Sequence, residues 1–514
     1  MIKTKKRRFY YTTAIICLIG ANLLFFLTIW LLDQYDQVTL DQFIYAMKAS
    51  PAGANRQIAG SAVLEVGVYG IALALVEIYF WKMCNGRFEK RLEKIRLYIK
   101  FRATKLCRLI TKRALALGSA CLLLSTLFFC IKLNVFGYAG DLITDSHLIE
   151  EHYVDPNSVK LEFPEKKRNL VYIFLESMEN TFADTRAGAP IVENYIPELT
   201  KLAEENVSFS HTQGIGGAQS FTGTTWTAAA MVSQTAGVIV QVPLLADSFG
   251  GGEEEYAPGL VSIGEILEKE GYQQVMLCGS DADFGSRQSY FRDHGNYTIV
   301  DYDSLRAEGR LPEDYLQWWG FEDEKLFAYA KEEITRMAAS DQPFNLTMLT
   351  ADTHFPDGYV CPQCQTHYDD QYANVLRCSS RQVAEFVAWL QEQPFYENTT
   401  IVISGDHLTM DPDFLDERNE DYVRTVYNCI INPAVEPVRE TDRQFGVFDL
   451  YPTTLAAMGV TVEGDRLGIG TNLFSDRKTL TEEYGFETLD AELKKNSDFY
   501  NENLLEMDSS FPWD

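Results

Sequence analysis

The sequence predicts an α/β sandwich with a mostly parallel central sheet, preceded by an N-terminal region of three membrane-spanning helices. Apolar runs of spanning length occupy residues 9–32, 61–84 and 114–136, and from residue 168 onward short buried-strand patterns alternate with helical ones. Charge divides the chain at the same place. The 514 residues carry 45 Lys/Arg and 73 Asp/Glu. Residues 1–137 hold twenty of the basic and only seven of the acidic ones, so the remainder carries about −41. A field of that sign disfavours nucleic acid as a partner, because phosphate backbones need neutralising cations; it suits an exposed, soluble domain.

The first span follows Lys3, Lys5, Lys6, Arg7 and Arg8, and its apolar run is longer than the core of a cleaved signal peptide. The second contains Glu65 and Glu77, which are expected to pair within the helix bundle or lie near its ends. Between the second and third spans, residues 87–113 hold eleven Lys/Arg against two Glu, whereas residues 33–60 have only Lys48 and Arg56 as basic residues. The positive-inside rule then puts the N-terminus and the basic loop 85–113 in the cytoplasm, with that loop lying along an anionic leaflet. Three spans leave everything after Tyr138 on the outer side of a plasma membrane. The division expected is therefore a membrane region 1–137, a linker 138–167 and an extracytoplasmic domain 168–514.

Within that domain residues 168–175 read as a buried strand ending on Glu176, residues 196–206 as an amphipathic helix, and residues 207–210 as a short strand. Further strands are expected at 272–278, 344–349, 399–404 and 426–431, with helices at 322–337 and 379–393. Ligands of such sheets gather beyond the carboxyl ends of the strands. Glu176, His354, Asp406 and His407 all follow predicted strand ends. Glu176, Asp406 and His407 offer hard oxygen donors and one imidazole, a set suited to Mn²⁺ or Mg²⁺. Gly223-Thr224-Thr225-Trp226-Thr227, between a glycine-rich approach and a run of small residues, reads as a turn that holds a hydroxyl at a helix N-terminus, where an anion is favoured. Thr224 is one hydroxyl that could complete the shell of such an ion. A bound cation would lower its pKa and make it a nucleophile.

Together, Leu175-Glu176-Ser177, the Gly-Thr-x-Trp-Thr segment, Thr353-His354-Phe355-Pro356-Asp357-Gly358, Ser404-Gly405-Asp406-His407 and Asp449-Leu450-Tyr451-Pro452-Thr453 resemble the alkaline phosphatase/sulfatase superfamily. Within it the likeness is to membrane-anchored phosphoglycerol transferases of the periplasmic-glucan type, with lipoteichoic acid synthase a more distant relative. Thr39-Leu40-Asp41-Gln42, between the first two spans, also looks like these transferases. The resemblance implies one Mn²⁺-like ion on Glu176, Thr224, Asp406 and His407. It also implies transfer of phosphoglycerol from phosphatidylglycerol to a hydroxyl of a surface glycan or teichoic-type polymer, with release of diacylglycerol.

His354 would bind the phosphoglycerol and relay a proton, Arg287 would grip phosphate, and Asp283 and Trp226 would line the pocket. Thr222, Thr225 and Thr227 compete with Thr224; in sulfatase-type domains an apolar pair follows the nucleophile by seven and eight residues, and Met231-Val232 stand in that relation to Thr224. The sulfatase signature of Cys or Ser followed by x-Pro-x-Arg is absent, which disfavours sulfate-ester hydrolysis. A phosphoethanolamine transferase or a phosphodiesterase would share fold, metal and nucleophile. The alternative of another class is a non-catalytic protein that binds glycan or lipid headgroups through the metal. Of the cysteines in the exported part, the resemblance implies a disulfide between Cys364 and Cys378, with Cys361 beside them.

Overall fold

The computed structural model describes residues 2–35, 39–50, 52–53, 56–84, 113–243, 249, 255–415 and 422–506. The chain forms two compact units, residues 1–40 with 55–139, and residues 41–54 with 140–514. The basic loop expected to lie on a leaflet falls outside the described residues, except for Arg113.

Among the described residues of the first unit, three helices are long and apolar enough to cross a membrane: Phe9–Gln34, Ile58–Lys82 and Ala114–Lys132. Close approach of the first and third is set by Gly118, where a Cβ would lie 2.9 Å from the Ala14 carbonyl oxygen. Glu77 in the second accepts a hydrogen bond of 2.8 Å from the Asn22 amide of the first, one of the two arrangements expected for the acidic residues there. The third helix ends at Lys132, short of residue 136, because Asn134 has φ 48° and breaks the helical path.

The second unit is an α/β sandwich around a six-stranded sheet. Its strands are β1 (Asn169–Leu175), β2 (Gln273–Cys278), β3 (Thr298–Val300), β4 (Phe344–Leu349), β5 (Thr399–Gly405) and β6 (Asn428–Ile431). Their spatial order is β3-β2-β4-β1-β5-β6, parallel except for the antiparallel edge strand β6. The helices important for the site are α1 (Leu40–Lys48), α2 (Thr227–Ala236), α3 (Arg287–Asp293), α4 (Asp323–Ala338) and α5 (Gln371–Gln391).

Every residue of β1 is buried, as expected of a strand covered on both faces. Alternate residues face opposite layers. Val171, Ile173 and Leu175 join Val275, Leu277, Leu346, Met348, Ile401 and Ile403 in one core with Leu326, Ala330 and Ile334 of α4 and Leu376, Val383 and Phe386 of α5. From the other face Tyr172 donates a 3.0 Å hydrogen bond to Gln234, near the end of α2.

Three expectations need correction. Residues 207–210 form no strand: Val207 makes a single bridge to Ile430, and Phe209 is held by the side chain of Asn428. Helix α5 begins at Gln371, eight residues before its expected start, because the carboxylate of Asp370 caps the amide of Ala373. Residues 138–167 are not a bare linker. They contain the helix Leu148–His152 and the strand Leu161–Glu162, paired with Thr461–Val462. The short edge strand β3 was not legible in the sequence.

Candidate active site

The parallel register brings the carboxyl ends of β1, β4 and β5 together. β1 pairs with β5 from Asn169↔Thr399 to Leu175↔Gly405, so Glu176 and Asp406, the next residues of each strand, emerge side by side. Close contact of these ends is possible only because residue 405 is glycine: a Cβ there would meet the Met178 carbonyl oxygen at 1.9 Å. The Asp406 Oδ1 atom accepts hydrogen bonds of 2.7 Å from the amides of both Ser177 and His407, which locks the two strand ends to each other.

Glu176, Asp406 and His407 are 3%, 0% and 1% exposed and lie close enough for one ion to bridge them. The His407 Nε2 atom is 3.6 Å from Glu176 Oε1 and 3.4 Å from Asp406 Oδ2. His407 Nδ1 faces the Leu408 carbonyl at 2.8 Å, which requires a ring proton on Nδ1 and turns Nε2 toward the carboxylates. Asp406 Oδ2 is buried without a hydrogen-bond partner among the described residues. An orphaned carboxylate oxygen is costly unless a cation faces it, and this donor set fits a divalent ion. The electrostatics agree: burial, then the neighbouring Glu176, pushes Asp406 up to about 7. Burial disfavours charge on His407, yet Asp406 and Glu176 outweigh it and raise its pKa.

The hydroxyl beside this group belongs to Thr227, not Thr224. Thr227 Oγ1 lies 3.3 Å from Glu176 Oε2 and 3.3 Å from His407 Nε2. It is the first residue of α2, after Trp226, whose extended backbone occupies the N-cap position. Thr224 is fully buried and turned away. Its hydroxyl donates to the Phe221 carbonyl at 2.8 Å and accepts from the Phe221 amide at 3.0 Å, closing a turn that Gly223 enters with φ 75°. The spacing to Met231-Val232 therefore pointed to a threonine that does not meet the carboxylate–histidine group. The start of the helix itself was the better signal, since Thr227 opens the unbroken run of small residues.

His354 follows β4 and is half-buried between the rings of Trp319 and Phe355, each centred 4.6 Å from its own. Its Nδ1 donates to the Phe355 carbonyl at 2.7 Å, leaving Nε2 as an acceptor. Burial lowers its pKa to about 4, and the nearby His407 and Arg287 act in the same direction, so the ring is neutral at neutral pH. Arg287, 7% exposed at the start of α3, is steadied by its own loop: Nε donates to Phe284 O and Nη2 to Ser280 Oγ and Asp281 O, all at 2.9 Å.

The remaining expected residues have other surroundings. The carboxylate of Asp283 accepts a 2.6 Å hydrogen bond from Ser50. The ring of Trp226 packs against Tyr45 at 5.2 Å, and its Nε1 is buried without a partner among the described residues. Cys364 and Cys378 are free thiols, not a pair; Cys361 Sγ lies between them, 3.6 and 3.7 Å away. The reason is local, because a turn closed by Cys364 N and Cys361 O brings both of those sulfurs toward α5. Trp319, whose ring lies tilted beside that of His354, carried no signal in the sequence.

A family model for sulfatases matches residues 168–460, more than half of the chain. The chain belongs to the sulfatase family. This sulfatase-family chain is 31% identical over 265 residues to phosphoglycerol transferase I of Escherichia coli, covering 50% of this chain and 33% of that one. With phosphoglycerol transferase I of Salmonella choleraesuis it shares 32% identity over 253 residues, 48% of this chain and 32% of the relative. It thus spans about a third of the length of the curated relatives it matches. Its fold is similar to that of an alkaline phosphatase superfamily protein from Vibrio parahaemolyticus, with a TM-score of 0.51 and 21% identity over 64% of this chain and 76% of the other.

Proposed function

We propose that this sulfatase-family protein is a membrane-bound transferase that moves phosphoglycerol from phosphatidylglycerol to a hydroxyl of a surface glycan or teichoic-type polymer through a phosphoglyceryl-Thr227 intermediate. The observation that carries the reading is the Thr227 hydroxyl at a helix N-terminus, 3.3 Å from both Glu176 and His407. The likeness to phosphoglycerol transferase I supports the choice of donor. The concentration of basic residues in 87–113 supports an N-terminus in the cytoplasm and a catalytic unit outside.

Glu176, Asp406 and His407 would hold the cation, Mn²⁺ by preference, beside the Thr227 hydroxyl. Such an ion lowers the pKa of a neighbouring hydroxyl and offsets charge on phosphoryl oxygens. Thr227 Oγ1 attacks phosphorus; the bond between phosphorus and the diacylglycerol oxygen breaks as the bond to Oγ1 forms. The proton lost by Thr227 is returned to the departing oxygen, and we assign that relay to His354, whose neutral ring offers Nε2 as acceptor. Arg287 contributes a fixed positive charge for the phosphate. The second displacement runs the same way in reverse, with the acceptor hydroxyl attacking phosphorus and Thr227 regaining a proton. Backbone amides at the start of α2 favour the anion in both steps.

The test is mass spectrometry of the full chain after incubation with phosphatidylglycerol and Mn²⁺. A phosphoglyceryl adduct on Thr227, and diacylglycerol in the lipid extract, are expected. An adduct on any other residue would overturn the assignment of the nucleophile, and an adduct carrying ethanolamine from a mixed-lipid preparation would overturn that of the donor.

A further inference from the structure

Residues 41–54 lie between two membrane spans in the sequence but fold with the catalytic unit. Their central anchor is Tyr45 of α1, which is 3% exposed. Its ring lies 5.2 Å from Trp226 and 5.4 Å from Phe249, and its hydroxyl donates to the Gly285 carbonyl at 2.8 Å, with the Tyr256 hydroxyl 3.2 Å away. Ser50 continues the contact. Its hydroxyl donates to Asp283, its carbonyl accepts from the Gly285 amide at 3.2 Å, and its amide donates to the Ser286 hydroxyl at 3.3 Å. Farther along α1, Gln42 Nε2 approaches Met410 Sδ at 3.4 Å, three residues beyond His407.

These contacts fall on the two backbone features that aim the reactive groups. Trp226 immediately precedes Thr227, so its ring fixes how the chain enters α2. Residues 283–286 immediately precede Arg287, and two of them are left-handed: Gly285 at φ 66° and Ser286 at φ 60°. For the serine that conformation is unfavourable and persists only where surrounding contacts over-determine it. Tyr45 and Ser50 supply such contacts to Gly285, Ser286 and Asp283.

We propose that residues 41–54 are a positioning element of the catalytic site, in which Tyr45 orients Trp226 ahead of Thr227 and, with Ser50, holds the left-handed turn that aims Arg287. The proposal rests on the function assigned to Thr227 and Arg287 above. It also assigns a role to the Leu40-Asp41-Gln42 stretch: these residues start a helix whose purpose is to complete a site formed far away in sequence.

The test uses the full chain in phosphatidylglycerol-containing nanodiscs, with Tyr45→Ala, Tyr45→Phe and Ser50→Ala compared with the parent. Amide hydrogen exchange is read at residues 224–228 and 283–288, with α4 as the internal control, and kcat and KM are read from diacylglycerol release. Tyr45→Ala is expected to speed exchange at both segments at least fivefold, leave α4 unchanged and lower kcat at least tenfold. Tyr45→Phe, which keeps the ring, should stay within about threefold of the parent in kcat, and Ser50→Ala should raise KM and speed exchange only at 283–288.

Parent-like exchange at both segments in a folded Tyr45→Ala protein would overturn the proposal, as would faster exchange with unchanged kcat and KM. If Tyr45→Ala fails to fold, parent-like exchange and KM in Ser50→Ala overturn it instead. A parent protein that releases no diacylglycerol would overturn the donor assigned above, and the exchange comparison alone would then decide the present proposal.

Discussion

Thr227 and Thr224 are three residues apart and have opposite surroundings, and substitution separates their roles. Thr227→Ala removes the hydroxyl beside Glu176 and His407. Turnover is expected to fall by about three orders of magnitude or more, with the melting temperature nearly unchanged. Thr224→Ala should do the reverse. It strips the Phe221 amide of its partner inside a buried turn, at a cost of about 1–3 kcal/mol, while the Phe221 carbonyl keeps the Thr224 amide and the carboxylate–histidine group stays intact. Diacylglycerol release and thermal melts on the two variants check both statements. Both hydroxyls are spelled identically in the sequence, and what distinguishes them is the turn at Gly223 that rotates one inward and leaves the other to open a helix.

At the scale of elements, the strand ends hold the site through interlocked backbone contacts. Gly405→Ala would place a methyl group against the Met178 carbonyl. The strand end carrying Asp406 must then shift, so loss of Mn²⁺ affinity and a destabilisation of about 1–3 kcal/mol are expected, measurable by calorimetry with and without metal.

A second interlock joins α4 to the segment after β4 and so to His354. Asp323 accepts from the amides of Ala351 and Asp352 at 2.8 and 3.2 Å, and Asp352 accepts from the Asp323 amide at 3.2 Å. Burial pushes Asp323 up to about 7 and raises Asp352 as well, with Asp323 adding to the effect. Carboxyls raised in the folded state keep protons that the unfolded chain has lost. Their contribution to stability is therefore full below about pH 4 and is lost as pH rises toward 7, by about 1.4 kcal/mol per pH unit for each extra proton. Asp352→Asn should flatten that slope between pH 5 and 7 in denaturant-unfolding curves; an unaltered slope would remove Asp352 as its source.

For the molecule as a whole, the carboxylate–histidine group is a stability defect that a bound cation would offset. Three ionisable groups at most 3% exposed face one another, and one carboxylate oxygen has no partner among the described residues. Mn²⁺ should raise the melting temperature of the catalytic unit, by the equivalent of about 2.7 kcal/mol at a hundredfold excess over Kd, and chelation should reverse it. Asp406→Asn should abolish the rise and, in chelator, melt above the parent, because the buried charge is gone. A parent protein indifferent to Mn²⁺ would refute the metal centre.

The sequence by itself determined the three spans, the α/β alternation and the carboxylate–histidine group. The reason is that each rests on a local pattern: apolar length, strand period, and acidic or imidazole residues directly after strands. Glu176, Asp406 and His407 could be named because a parallel sheet brings its strand ends to one edge whatever the details of packing. Only the tertiary structure decided which threonine meets that group, since the choice depends on the dihedral angles of one turn. It alone set Cys361 between Cys364 and Cys378 where those two were expected to pair, because side-chain direction on α5 is a matter of packing. And it alone assigned residues 41–54 to the catalytic unit, a contact made across some two hundred residues of chain between Tyr45 and Tyr256, which no local pattern encodes.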